Sequence, residues 1–260
     1  MIGLFDSGVG GLTVVRELLK KYPGVDFVYL GDTARYPYGN KSEETVERYA
    51  VEDAKFVIEK GAKLVIVACN TASSLAMDAL REKYPDTAFL GVIQPAAELA
   101  VAESKVSIGV AGTRATVGSG VYEDVIRELN PKLKVYQKAC PLFVPLVEEG
   151  MFKDQMTKMM VRRYLMSLRQ KNVESLILGC THYPFLQSLI QRFMGKKVKV
   201  INSAEAVVDK AKELKPELFK QSESAKQVIA FTDTSPHLDS LASKWLKRDI
   251  RVEKVSILDK

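Results

Sequence analysis

Leu64-Val65-Ile66-Val67-Ala68-Cys69-Asn70-Thr71-Ala72-Ser73 and Leu176-Ile177-Leu178-Gly179-Cys180-Thr181-His182-Tyr183-Pro184 are built alike. Each is a short apolar run, then a cysteine, then a polar cluster that leads into a helical pattern. A continuous apolar run bounded by turn signals is how a strand buried on both faces reads. Each cysteine is therefore predicted at the C-terminal edge of a parallel strand and the N-terminal edge of a helix. Open α/β sheets bind ligands at that edge. A helix N-terminus there favours a thiolate through its dipole and free N–H groups. Two thiols in matched settings predict one site with a reactive sulfur on each side of a substrate.

Working outward, strand-like and helix-like segments alternate, which predicts parallel α/β sheets. Strands are predicted over residues 2–5, 26–30, 64–68 and 88–92, with helices over 12–22, 42–60 and 72–84. Ser42 caps the second helix, with Glu43 and Glu44 in its first turn, and Pro95 marks a break after the fourth strand. The pattern then restarts. Strands are predicted over 106–111, 134–137, 176–179, 198–201 and 228–231, and helices over 117–129, 155–171, 185–194 and 204–214. Ser235-Pro236 reads as the cap and first-turn proline of a last helix. Ile2-Gly3-Leu4-Phe5-Asp6-Ser7-Gly8 is echoed by Ile108-Gly109-Val110-Ala111-Gly112-Thr113, and the two cysteine segments lie nearly the same length of chain apart. Either chance or a duplicated half accounts for this echo; a duplicated half would face two similar sheet edges across one cleft.

Composition narrows the class. The chain has 260 residues, with 47% hydrophobic and 27% charged residues, which fits a globular protein with a sizeable core. No apolar run approaches the ~18 residues needed to span a membrane. Met1 leads almost directly into a strand, so no signal peptide is expected. Three cysteines cannot all pair, which fits a reducing cytoplasm. The net charge of +6 is spread along helical faces with no basic block interleaved with aromatics, so nucleic acid is not an expected partner.

Polar clusters supply candidates. Asp6-Ser7-Gly8-Val9-Gly10-Gly11 follows a strand, but Thr13 stands where a dinucleotide fingerprint needs its third glycine, and no phosphate-loop lysine follows. Asp6 would repel phosphate and suits an ammonium group. His182, two residues after Cys180, is a candidate proton carrier, whereas His237 reads as structural. Glu148 sits in a polar turn where a carboxylate is ordinarily solvated. Cys140, before Pro141, is expected to be a buried thiol away from any strand edge. No Cys-x-x-Cys pair is present, so no metal site is expected. Opposed thiols suit two-base inversion at an acidic C–H: one sulfur takes a proton from one face, and the other returns one to the opposite face.

Five segments carry a family resemblance. They are Asp6-Ser7-Gly8-Val9-Gly10-Gly11-Leu12-Thr13-Val14, Gly31-Asp32-Thr33-Ala34-Arg35-Tyr36-Pro37-Tyr38-Gly39, Ala68-Cys69-Asn70-Thr71-Ala72-Ser73, Ala139-Cys140-Pro141-Leu142-Phe143-Val144-Pro145-Leu146-Val147-Glu148-Glu149-Gly150, and Leu178-Gly179-Cys180-Thr181-His182-Tyr183-Pro184. In this order they resemble the glutamate racemases of the aspartate/glutamate racemase family, over about residues 1–205. Gln94 stands where many members carry an acid. The resemblance implies two pseudo-symmetric parallel-sheet α/β domains with the active site in the cleft between them. Their expected extents are 1–94 with 205–260, and 95–204. It implies interconversion of L- and D-glutamate without a cofactor, supplying D-glutamate for peptidoglycan, in a cytoplasmic enzyme commonly found as a homodimer. Cys69 matches the base for the D-isomer and Cys180 the base for the L-isomer. Asp6, His182 and Glu148 match residues that assist them. Asp6, Ser7, Tyr38, Gly39, Asn70, Thr71, Thr113, Thr181 and His182 match substrate contacts. Two other readings remain at this stage: a racemase of another acidic amino acid such as aspartate, and a dithiol redox or ligand-binding protein. The two-base reading expects unbonded thiols across a cleft, with Asp6 near Cys69 and His182 near Cys180.

Overall fold

The computed structural model describes residues 1–247, 250 and 252–257. In chain order the first part runs β1 (Ile2–Asp6), α1 (Leu12–Lys21), β2 (Phe27–Gly31), α2 (Glu43–Glu59), β3 (Leu64–Val67), α3 (Asn70–Leu75), α4 (Met77–Lys83), β4 (Ala88–Gly91) and α5 (Ile93–Ala102). The second part runs β5 (Ser107–Gly112), α6 (Arg114–Gly118), α7 (Val121–Leu129), β6 (Lys134–Ala139), α8 (Phe143–Glu148), α9 (Gln155–Gln170), β7 (Ser175–Gly179), α10 (Gln187–Met194), β8 (Lys199–Asn202) and α11 (Ser203–Leu214). The chain ends with β9 (Gln227–Phe231), α12 (Pro236–Leu246) and β10 (Glu253–Lys254).

The strands form two wholly parallel sheets, ordered β10-β9-β2-β1-β3-β4 and β6-β5-β7-β8. The second order repeats the run β2-β1-β3-β4 of the first, strand for strand, so the two halves are pseudo-symmetric. The central strands β1, β2, β3, β5 and β7 are buried along their whole length, as their unbroken apolar runs require. β9 pairs with β2, Phe27 facing Gln227, which returns the C-terminal stretch to the first sheet.

One core cluster reaches from Leu4, Tyr29 and Ile66 of the first sheet through α1 and α11 to Leu176, Leu178 and Tyr183 of the second half. The opposite face of the first sheet packs on α2 through Phe5, Val28, Val65, Ala54 and Val57. A third cluster joins β5 and β7 to α5 and α7 through Ile108, Val110, Ile177, Ala97 and Ile126. Ser42 and Ser235 cap α2 and α12, their Oγ atoms accepting from the Thr45 and Leu238 N–H groups at 3.4 and 3.2 Å.

The structure corrects several expectations. Pro95 does not end an element: it is the third residue of α5, where a missing N–H breaks no helical bond. Pro145 holds the same place in α8, so Glu148 ends a helix rather than sitting in a free turn. The helix expected over 72–84 starts directly after Cys69 and breaks at Ala76, and the one over 117–129 is split, with Gly120 at φ +74°. β6 extends to Ala139, so Cys140 does follow a strand edge. Among the described residues no helix is long and apolar enough to cross a membrane.

Candidate active site

Cys69 directly follows Ala68 at the end of β3 and occupies the N-cap of α3, while Cys180 follows β7. Both are nearly buried, both are unpaired thiols, and both line one cavity of roughly 550 Å³ between the sheets. Ser7, Tyr38, Gly39, Asn70 and Thr71 line it from the first half, and Thr113, Glu148, Thr181 and His182 from the second. Asp6 lies beneath this lining, fully buried at the end of β1. The structure thus gathers around one cleft every residue that the resemblance assigns to the site.

The glycine turn that invited a nucleotide reading has a packing role. A Cβ at Gly10 would lie 2.3 Å from Thr181 Oγ1 and 2.5 Å from the His182 ring. A Cβ at Gly11 would lie 2.5 Å from Asp6 Cβ. Only glycine lets the β1–α1 turn meet the Cys180 turn so closely. The two turns are tied together: the Thr13 hydroxyl donates to the Thr181 carbonyl at 3.1 Å, and the Thr181 hydroxyl donates to Asp6 Oδ1 at 3.4 Å. Elsewhere across the cleft, the Thr71 and Thr113 hydroxyls lie 3.1 Å apart and Tyr122 donates to Asn70 Oδ1 at 2.8 Å. Asn70 Nδ2 is buried with no partner, a donor left over at the cavity wall.

The two sulfurs have different company. Cys69 Sγ lies 3.6 Å from Ser7 Oγ and is coupled to the Asp6 charge. Cys180 Sγ lies 3.9 Å from His182 Nδ1, and His182 Nε2 is 2.9 Å from Glu148 Oε1. An imidazole that donates Nε2–H to a carboxylate presents a bare Nδ1, here facing the sulfur.

The expectation that helix N-termini favour a thiolate does not hold for the protein alone. Burial pushes the Cys69 thiol up to about 11, with the Asp6 charge adding to it; backbone N–H groups of Ala72 and Ser7 pull the other way but do not prevail. Burial raises Cys180 further, with Cys69, Asp6 and Glu148 adding and the His182 backbone N–H opposing. Low dielectric disfavours the bare charge more than a few N–H groups favour it. Burial also lifts Asp6 to about 6, against the pull of His182 and of N–H groups from Gly11 and Gly8. Asp6 is thereby suited to exchange a proton near neutrality.

Tyr38 lines the cavity, but its hydroxyl turns away, 2.5 Å from Asp32 Oδ2 and 2.8 Å from Asp53 Oδ2. Arg35 bridges the same carboxylates at 2.6 and 2.9 Å and also meets Glu52. Burial beside Asp32 pushes Asp53 well above the usual carboxylate range. This cluster underpins the 36–39 loop. Sequence reading missed Tyr36, which lines the cavity near His182 and Glu148; nothing distinguishes it there from an ordinary turn tyrosine before proline. His237 opens α12 and lies outside the cavity lining. Among the described residues no group of three or more His, Cys, Asp or Glu could hold a metal ion.

Two pseudo-symmetric parallel sheets with a thiol on each side of one cleft define an enzyme of the amino-acid racemase class, an isomerase. Residues 12–211 match the Asp/Glu/hydantoin racemase family, and the chain belongs to it. It is 45% identical over 260 residues to a glutamate racemase of Sulfurihydrogenibium, covering 99% of this chain and 98% of the relative. Among solved structures, glutamate racemase from Francisella tularensis in complex with D-glutamate superposes with a TM-score of 0.92 at 34% identity, covering 98% and 97% of the two chains. That from Aquifex pyrophilus gives 0.81 at 44% identity and 96% of each.

Proposed function

We propose that the protein interconverts L- and D-glutamate by two-base racemisation without a cofactor. The observation that carries this reading is the pair of unbonded thiols on one cavity, each beside its own proton acceptor: Asp6 for Cys69, and His182 backed by Glu148 for Cys180. Glutamate is assigned from relatives that bear that name over nearly the whole chain, one of them holding D-glutamate.

In this reading D-glutamate gives its α-proton to the Cys69 thiolate, and the Cys180 thiol gives a proton to the opposite face of the carbanion. The product is L-glutamate, with Cys69 now protonated and Cys180 ionised; the reverse reaction starts from that state. Asp6 takes the Cys69 proton before the forward step, and His182 Nδ1 takes the Cys180 proton before the reverse one. The entering ammonium group of the substrate offsets the charge that burial penalises. Ser7, Asn70, Thr71, Thr113 and Thr181, with the backbone at Tyr38 and Gly39, hold the substrate's carboxylates and amine.

The same reading makes the enzyme a cytoplasmic homodimer that supplies D-glutamate for peptidoglycan. It divides the chain into residues 1–94 with 205–260, and 95–204, a division supported by the membership of the two sheets. The test is circular dichroism of pure D- and L-glutamate with purified protein, with aspartate run in parallel. Loss of ellipticity from both glutamate isomers, undiminished in EDTA and with no pyridoxal absorbance, is expected. Turnover of aspartate alone, or turnover abolished by chelator and restored by metal, refutes it.

A further inference from the structure

The hydroxyl of Tyr38 meets two carboxyl groups, and it has one hydrogen to give. Its oxygen lies 2.5 Å from Asp32 Oδ2, just after β2, and 2.8 Å from Asp53 Oδ2, on α2. All three residues are fully buried. A phenol donates one hydrogen bond, so the second contact needs a proton on one of the carboxyls. The neighbours decide which. Asp32 Oδ2 also receives Arg35 Nε–H at 2.6 Å. Asp32 Oδ1 receives the Thr232 hydroxyl at 2.9 Å, whose own oxygen accepts from the Ala34 N–H. Asp32 is thus an acceptor at both oxygens. Asp53 Oδ1 receives Arg35 Nη2–H at 2.9 Å, while Oδ2 has Tyr38 as its partner. Among the described residues, Asp53 Oδ2 is the oxygen of this cluster left free to carry the proton. Burial, with the charges of Asp32 and Glu52 adding, favours the proton there against the pull of Arg35 and Tyr38.

We propose that Asp53 is a neutral carboxylic acid and a positioning residue for substrate binding, acting through Tyr38. Its O–H is donated to Tyr38 Oη, and the Tyr38 O–H is donated in turn to the Asp32 carboxylate. Two hydrogen bonds in series therefore pin the tyrosine from behind the cavity wall. That anchor sets the backbone of Tyr38 and Gly39, which the proposed racemisation assigns to the substrate. The loop has little room on its other side: a Cβ at Gly39 would lie 3.1 Å from Thr113 Cβ in the second half. Neutrality also suits the ligand. Arg35 already meets the carboxylates of Asp32 and Glu52, and a further negative charge behind this loop would repel a dicarboxylate entering in front of it.

This inference rests on the proposed racemisation for its kinetic test, and a spectroscopic test is free of it. Infrared difference spectra of the wild type minus Asp53→Asn at pH 8 are expected to show the carbonyl stretch of a protonated carboxylic acid, displaced in D2O. Asp6, ionised at that pH, does not contribute. A difference spectrum that holds carboxylate bands alone overturns the proposal whatever the substrate. Asparagine donates to Tyr38 from Nδ2 and accepts from Arg35 at Oδ1, as the neutral acid does. In glutamate racemisation, Asp53→Asn is therefore expected to keep KM and kcat within about twofold, whereas Asp53→Ala raises KM about tenfold with kcat nearly unchanged, the worth of one buried hydrogen bond. Tyr38→Phe is expected to raise KM by a similar factor, and Asp53→Ala to add less than about twofold in that background, because coupled residues are not additive. Asp53→Asn as damaging as Asp53→Ala, a full further loss in the Tyr38→Phe background, or a fall in kcat at unchanged KM refutes the proposal. A wild type that does not racemise glutamate defeats the functional reading alone, and the infrared spectrum still decides the state of Asp53.

Discussion

The Cys69 side and the Cys180 side of the cleft have the same fold and different chemistry. β3 and β7 hold equivalent places in sheets of matching order, and each delivers a thiol to the same cavity. Behind Cys69 stands a single buried carboxylate, Asp6, shifted to about 6. Behind Cys180 stands a histidine braced by Glu148. Fold symmetry therefore sets where the sulfurs lie, and the side chains around each turn set how each loses its proton. A substrate whose two faces present mirror-related protons needs a carrier on each side, but the carriers need not be alike.

The largest effect tests what the two sides share. Cys69→Ser and Cys180→Ser should each lower kcat by about 10³-fold or more, ~4 kcal/mol in barrier, since a hydroxyl is a far weaker base than a thiol. The double variant should be little worse than either single one, because both sulfurs serve one event. Near-normal turnover by either single variant, measured by circular dichroism, would end the two-base reading.

The next effect separates the sides. Asp6→Asn and His182→Gln should each cost about 10²-fold in kcat/KM. The equilibrium constant between mirror images is one, so each loss must be equal in both directions. The primary deuterium isotope effect need not be. Asp6→Asn should raise it for α-deuterated D-glutamate, where Cys69 is the proposed base, and His182→Gln for the L-isomer. Equal changes for both isomers in both variants would erase the distinction between the two sides.

Asp6 also gives the first side its own pH signature. With its folded pKa near 6 and its unfolded value near 3.8, the folded protein binds more protons between those values. Stability is then lost as pH rises through that window, on the order of 3 kcal/mol by neutral pH. Asp6→Asn should therefore be more stable than the wild type at pH 8 and no different from it at pH 3, by denaturant unfolding. Activity of the wild type should fall below about pH 6 as Asp6 protonates. Its alkaline limb should lie toward the Cys69 range near 11, so the profile is bell-shaped and belongs to the coupled groups. A stability difference that is the same at both pH values would show that Asp6 is not held at a raised pKa.

The same comparison explains what sequence could convey. Buried parallel strands announce themselves as unbroken apolar runs, so β1, β3, β5 and β7 and both thiol turns were legible, as was the restart at β5. The helices α5 and α8 were not: Pro95 read as a break although it sits in a first turn that tolerates proline, and the stretch before Glu148 read as leading into a polar turn although Pro145 holds the same place in α8. The helices after Cys69 and Thr113 read as single elements because Ala76 carries no breaking signal and Gly120 is followed by a strong helical pattern. Tyr36 was invisible because its place on the cavity, with its ring beside that of His182, depends on chain more than a hundred residues away. The raised thiols were missed for the same reason: desolvation depends on how tightly two halves close, which no local segment records.

The smallest expected effect concerns a third thiol that resembles the other two more than its sequence suggests. Cys140 follows β6 at the same edge of the second sheet, and it too is pushed up by burial. It differs in where its sulfur points, not in how soon a helix follows: Cys69 caps a helix that begins at the next residue, but Cys180, like Cys140, is two residues short of a helical turn. The Cys140 sulfur turns back toward the Lys138 carbonyl at 3.5 Å, its own carbonyl accepts from Tyr183, and Pro141, not Cys140, reaches the cavity. A strand edge alone does not make a reactive cysteine; the turn after it must aim the sulfur into the cleft, as the turns after Cys69 and Cys180 do. Cys140→Ser should therefore change kcat by less than about twofold, while costing about 1 kcal/mol of stability by placing a hydroxyl in an apolar pocket with one acceptor. A loss of activity of tenfold or more, with the fold intact by thermal unfolding, would mean that a third sulfur takes part and that pairing across the two sheets is not what selects the bases.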